Sequence, residues 1–151
     1  MFSEFENAVE KTHLALKEFY KGNPEPYNKL LSQKENVSLL GAQGGVSVGP
    51  VEVHKHLTSR ASWFQAGHDV SFERMVKYSN KDMGYIVEVE RFEVKVAGSD
   101  EVVPIALRVN TIFRYEDGEW RVAHRQGDPL VSRIDPSTYI SLSKHNLEKK
   151  E

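Results

Sequence analysis

The chain has 151 residues, with 20 Lys and Arg against 22 Asp and Glu and a net charge of −2. That length suits one domain burying about two-thirds of its unfolded surface, and the balanced charge offers no broad basic field for phosphate backbones, so nucleic acid is not an expected partner. With no cysteine there is no disulfide, thiolate nucleophile or cysteine-held metal.

The opening MFSEFENAVEK is acidic and has no basic segment followed by an apolar one. No apolar run approaches membrane-spanning length, so the expectation is a soluble, unprocessed, cytoplasmic protein that does not engage a membrane. Ser3 and Glu6 have the spacing of a capping box, and Phe5, Val9, Thr12, Leu16 and Phe19 recur at helical spacing up to Gly22, which predicts an amphipathic first helix. Asn23 and Pro24 suit the start of a short second helix, with Tyr27, Leu30 and Leu31 as its apolar contacts. NVSLLG reads as a brief strand. The glycine-rich GAQGGVSVG lacks the Gly-Lys-Ser/Thr ending of a phosphate loop and reads as a flexible loop at a pocket mouth.

Pro50 after Gly49 opens a third helix in which Val53, Leu57, Ala61 and Phe64 share one face. His54 and His56 lie two apart, so on a helix their imidazoles diverge and make a poor metal pair. His54 flanks the apolar face, where it can enter a cavity, and His56 is expected in solvent. Trp63 is a candidate for the cavity mouth.

From His68 onward the pattern changes to long strands: VSFERMVKYS, GYIVEVERFEVKV, VVPIALRVNTIFRYE and EWRVAHRQ. Asn80-Lys81-Asp82, Gly98-Ser99-Asp100 and Asp117-Gly118 separate them as turns. Ile105, Leu107, Val109, Thr111, Phe113 and Tyr115 alternate with polar neighbours to give one apolar face. Helices first and antiparallel strands after predict an α+β cone, three N-terminal helices covering the concave face of a strongly curved antiparallel sheet. The whole of 1–151 is one domain, with a polar tail from about residue 132.

This order, with VGP before the third helix and RYEDGEWRVAH at the end, resembles the nuclear transport factor 2-like superfamily, particularly its SnoaL-like and ketosteroid-isomerase-like branches. The resemblance spans about residues 3 to 131. It implies a conical barrel, a homodimer formed through the sheet and an apolar interior pocket. It also implies a carboxylate base and oxyanion donors at positions that correspond roughly to Leu40, Ala15 and Thr111. Leucine and alanine cannot move a proton, and threonine is a weak donor, so the residues speak against steroid isomerisation.

The direction of His124 depends on register. A two-residue loop at Asp117-Gly118 sets Thr111 opposite His124 and turns the imidazole inward. A three-residue loop with a glycine bulge sets Asn110 opposite His124 and turns it outward. Amphipathicity favours the first, because it sends Arg108, Arg114, Arg121 and Arg125 outward together. Two functions follow. One is a cofactor-independent, metal-free isomerase, cyclase or dehydratase. It would use His124, with Asp128 as a further candidate, as acid/base on an apolar oxygenated ligand held by Thr111, Gln126, Trp63 and His54. The other is a non-catalytic ligand-binding or dimeric assembly module that uses the outer sheet face, including Arg108, Arg114 and Arg125.

Overall fold

The computed structural model describes residues 3–148. Helix α1 spans Glu4–Phe19, and Ser3 caps it by accepting a hydrogen bond from the Glu6 backbone N–H. The reciprocal half of the capping box is missing, because the Glu6 carboxylate pairs with Arg74 and Lys77 instead. Helix α2 is one turn, Glu25–Asn28, and α3 is Pro50–Ala61. Pro50 supplies the preset first turn, and Gly49, at φ +91°, supplies the entry that a side chain would resist.

Six strands follow: β1 Ser38–Leu40, β2 Ser47–Val48, β3 Phe64–Ser79, β4 Met83–Val96, β5 Val102–Glu116 and β6 Glu119–Asp128. They form one curved, open sheet in the order β2-β1-β6-β5-β4-β3. The three long hairpins are antiparallel as the turn residues predicted, but β1 joins β6 in parallel, so the sheet is mixed. No tight turn links β1 to β6, and nothing forces them to run in opposite directions. Bulges bend the sheet: β3 slips register three times, and Ala66 and Asp69, at φ +55° and +52°, sit within two of the slips.

Phe5, Val9, Leu16 and Phe19 of α1 and Val53, Leu57 and Ala61 of α3 pack on the concave side against Ile86, Phe92, Val94, Val109, Phe113 and Val122. The expected polar tail is partly a helix, α4, Pro136–Glu148, with exposed side chains through residue 146. Among the described residues, no helix is long and apolar enough to cross a membrane.

Candidate functional site

The concave interior is organised by an acid and a base that the sheet places side by side. Along β4, Ile86, Glu88, Glu90, Phe92 and Val94 share the inner face, so two glutamates lie among core residues. Arg125 comes in from β6 opposite Thr111 and grips Glu90 with both ends of its guanidinium: Nη1 donates to Oε2 at 2.8 Å and Nη2 to Oε1 at 3.0 Å. The Tyr20 hydroxyl at the end of α1 donates to Glu90 Oε1 at 2.6 Å, and the Tyr20 ring stacks on Phe92 at 3.6 Å. The Arg125 guanidinium also sits 6.0 Å from the centre of the Tyr27 ring.

Burial pushes the Glu90 carboxyl up, but the Arg125 charge and the hydrogen bonds from Arg125 and Tyr20 outweigh it and hold the group below its ordinary range. Burial also opposes the Arg125 charge, yet Glu90 keeps the guanidinium protonated more firmly than usual. Desolvation drives both tyrosines the other way: Tyr20 rises well above its ordinary value and Tyr27 is pushed up to about 12. The cluster is therefore an ion pair with two neutral phenols. Its members are fixed in charge near neutral pH, which suits positioning better than proton transfer.

A second charged cluster lies beside it under α1. His13 Nε2 meets Glu88 Oε1 at 2.7 Å while the imidazole stacks on Phe72 at 3.9 Å. Arg74 Nε stands 3.5 Å from Glu88 and Arg74 Nη1 donates to Glu6 Oε1 at 2.9 Å. Lys77 completes the chain on Glu6, whose carboxyl is lowered first by that lysine's hydrogen bond and, against the effect of burial, by Arg74. Glu10, His13, Phe72, Arg74 and Glu88 line a surface hollow of about 370 Å³ above this chain.

The sequence-derived candidates are distributed differently from expectation. Asp117-Gly118 does form the two-residue loop, with Glu116 opposite Glu119, but Ile112 then faces His124 while Phe113 faces Val122. Ala123 is the extra residue of a bulge, so everything beyond it changes face relative to a regular strand. His124 and Gln126 therefore stand on the convex side, and Arg125 turns inward instead of outward. Thr111 is buried on the concave side, away from His124. Ser38 Oγ lies 2.8 Å from His124 Nδ1, and burial lowers the imidazole pKa, which favours the neutral ring. Gln126 Nε2 donates to Asp128 Oδ2 at 3.0 Å, and Asp128 pairs across the sheet with Arg108.

The two α3 histidines are reversed. His54 is exposed, whereas His56 is half-buried, 3.2 Å from Ser47 Oγ and packed over Gly41. Burial, and then the Arg60 charge, lower its pKa. Trp63 is 42% exposed, with the Arg60 guanidinium over its ring at 5.3 Å. Ala15 is buried. Among the described residues, no group of three or more His, Asp or Glu side chains is arranged to hold a metal ion.

Reading by alternation alone missed Tyr20, Glu88, Glu90 and Arg125. The usable signal was VEVERFEV, where the glutamates alternate onto the face of Ile86, Phe92 and Val94 and so require buried cations as partners.

No protein-family model matches the chain, and no curated protein matches it. Solved structures do. A candidate dehydratase of the nuclear transport factor 2-like family from Streptomyces avermitilis superposes with a TM-score of 0.71 at 14% identity, covering 85% of this chain and 95% of that one. The chain has the nuclear transport factor 2-like fold. A ketosteroid isomerase-like protein from Erwinia carotovora atroseptica shares this fold at TM-score 0.69 and 16% identity, covering 87% of this chain and all of the other. A candidate calcium/calmodulin-dependent kinase II association domain from Exiguobacterium sibiricum has it at TM-score 0.65 and 18% identity, with 86% and 93% covered. One nuclear transport factor 2-like scaffold thus carries names from both catalysis and assembly.

Proposed function

We propose that the protein is a non-catalytic assembly module that forms a homodimer through the convex face of its sheet. The observation that carries this reading is the division of the sheet between its two faces. On the concave side, where this fold would hold a substrate, buried Tyr20, Tyr27, Glu90, Phe92 and Arg125 occupy the interior, and Tyr20 and Arg125 both donate to Glu90. On the convex side, Val76, Tyr78, Met83 and Tyr85 are exposed. Ile112 and Asn110 join Tyr78, Met83 and Tyr85 around a groove of about 430 Å³. A contiguous apolar surface with a polar rim is better matched to a second protein surface than to water.

The arginines proposed for the outer face contribute unequally. Arg114 donates to Glu116 at 3.3 Å and to Ser32 Oγ at 3.1 Å, which braces it beside the groove. Arg108 remains on the outer face opposite Asp128, and Arg125 belongs to the interior. The name of one structural neighbour, an association domain, is consistent with assembly on this scaffold.

Sedimentation equilibrium at micromolar concentration tests the reading. The expected mass is about twice the 17.2 kDa of the chain, and Ile112→Asp should convert it to monomer with an unchanged circular dichroism spectrum. A wild-type chain that sediments as monomer across this range overturns it. An enzyme of the isomerase, cyclase or dehydratase type would instead need a ligand in the concave interior, and a small molecule found bound there would overturn the assembly reading.

A further inference from the structure

Helix α4 carries Tyr139, Ile140 and Leu142 on one half of its surface, with Ser143 and Asn146 among them. At about 100° per residue, Pro136, Tyr139, Ile140, Leu142 and Ser143 fall within a sector of roughly 160°, and Ser137, Ser141, Lys144 and His145 fall opposite it. The apolar stripe nevertheless stands in solvent: Tyr139 is 53% exposed, Ile140 46% and Leu142 55%. Local hydrogen bonds start and trim the helix. Asp135 accepts from the Ser137 N–H at 2.9 Å, Ser143 Oγ donates to the Tyr139 carbonyl and Asn146 donates to that of Leu142. Such bonds do not sustain 13 isolated residues in water, because a helix of that length depends on packing its apolar face.

The surface for it lies on the same side of the sheet. Asp128, the last residue of β6, stands opposite Arg108, and Arg108 together with Leu130 to Ile134 lines a hollow of about 730 Å³. The chain therefore leaves the sheet along its convex face. From Arg108 to Ile112, at the edge of the Tyr78–Tyr85 groove, is four residues along β5, about 13 Å. Two unpartnered apolar surfaces, a stripe and a groove, are thus carried by one chain within a short distance of each other.

Resting on the convex-face dimer proposed above, we propose that α4 is an exchanged arm: each copy lays the Tyr139–Ile140–Leu142 stripe into the Tyr78–Tyr85–Ile112 groove of the other. The size of a stable interface supports exchange. Such interfaces use about 20 to 30 residues a side, whereas seven residues line the groove. The exposed Tyr139–Ile140–Leu142 half of α4 adds contact area from each copy that the groove alone lacks. In this conformation the helix stands off its own sheet, and two-fold symmetry lets one reciprocal contact satisfy both stripes and both grooves.

The absence of cysteine allows a direct test. A chain carrying only Leu142→Cys is mixed with one carrying only Tyr85→Cys and oxidised mildly, and the expected product is a cross-linked heterodimer in high yield. In parallel, Ile140→Asp/Leu142→Asp should weaken dimerisation at least tenfold by sedimentation while the sheet signal in circular dichroism stays constant. If the wild type is a dimer and both the double variant and a chain ending at Ser132 dimerise as tightly, the arm is overturned and the convex-face dimer stands. If the wild type is a monomer, the dimer reading falls and the exchange with it.

Discussion

Arg125 holds Glu90 by two hydrogen bonds, of 2.8 and 3.0 Å, at the centre of a face that the sequence pattern assigned to a ligand. Taking two charges out of water is costly, and the pair recovers that cost through mutual attraction and through the third bond, from Tyr20. Arg125→Met should therefore strand a buried carboxylate and destabilise the fold by about 3–5 kcal/mol in urea unfolding. Adding Glu90→Leu should restore most of the loss, since an apolar pair of similar volume carries no desolvation cost. Additive losses in the double variant would show that the two groups do not act as a unit.

The same pair sets the acid limit of the protein. Glu90 and Glu6 both titrate below the ordinary carboxylate range in the fold. A depressed folded pKa means that the unfolded chain takes up a proton first, so the stabilisation is complete above the unfolded value, about 4.3, and is lost as pH falls through the folded value. Urea midpoints should hold between pH 7 and about 5 as far as these carboxylates are concerned, then fall steeply toward about pH 3. The Arg125→Met/Glu90→Leu protein should show a shallower acid limb, and an unchanged slope would remove Glu90 from the account.

His124 contributes in the same sense at higher pH. Burial lowers its pKa, and the Ser38 hydroxyl lies within hydrogen-bond distance of the ring. Its contribution is present above the unfolded value, about 6.5, and is lost as pH falls through the lower folded value. His124→Gln should flatten the stability profile between about pH 7 and 5, because glutamine does not titrate there. A histidine resonance that titrates as it does in the unfolded chain would contradict this.

Most of the fold was legible because strong periodicity and turn chemistry fixed the elements. The 102–116 strand has the expected bounds, and Asp117-Gly118 makes the expected two-residue turn. The candidate site was harder to read because one small residue decides it. Ala123 fits either face of a strand, so alternation offered no sign of the bulge that sends His124 out and Arg125 in. Tyr20 was equally hidden: it follows the last helical turn, and its meeting with Glu90 across 70 residues depends on how α1 crosses the sheet. Helix α4 was read as tail because its polar residues outnumber its apolar ones, although their spacing carried the stripe.

Gly67 gives the last prediction, because it lets β3 approach the residue that completes the buried cluster. Its backbone N–H donates to the Tyr20 carbonyl at 3.0 Å, and a Cβ at this position would collide with the Tyr20 carbonyl oxygen and lie 2.7 Å from the Tyr20 Cβ. The obstruction is mostly backbone, so rotating a side chain cannot relieve it. Gly67→Ala must push the end of α1 away from the sheet, and Tyr20 moves with it, lengthening the hydrogen bond to Glu90 and disturbing the stack on Phe92. A loss of about 1–3 kcal/mol is expected from overpacking. Tyr20→Phe removes the hydroxyl alone, at about 1.5–3 kcal/mol for a hydrogen bond to a charged group. If the steric effect acts through Tyr20, the two substitutions should combine with less than additive cost in urea unfolding. Full additivity would mean that Gly67 is needed for the path of the strand and not for the position of Tyr20.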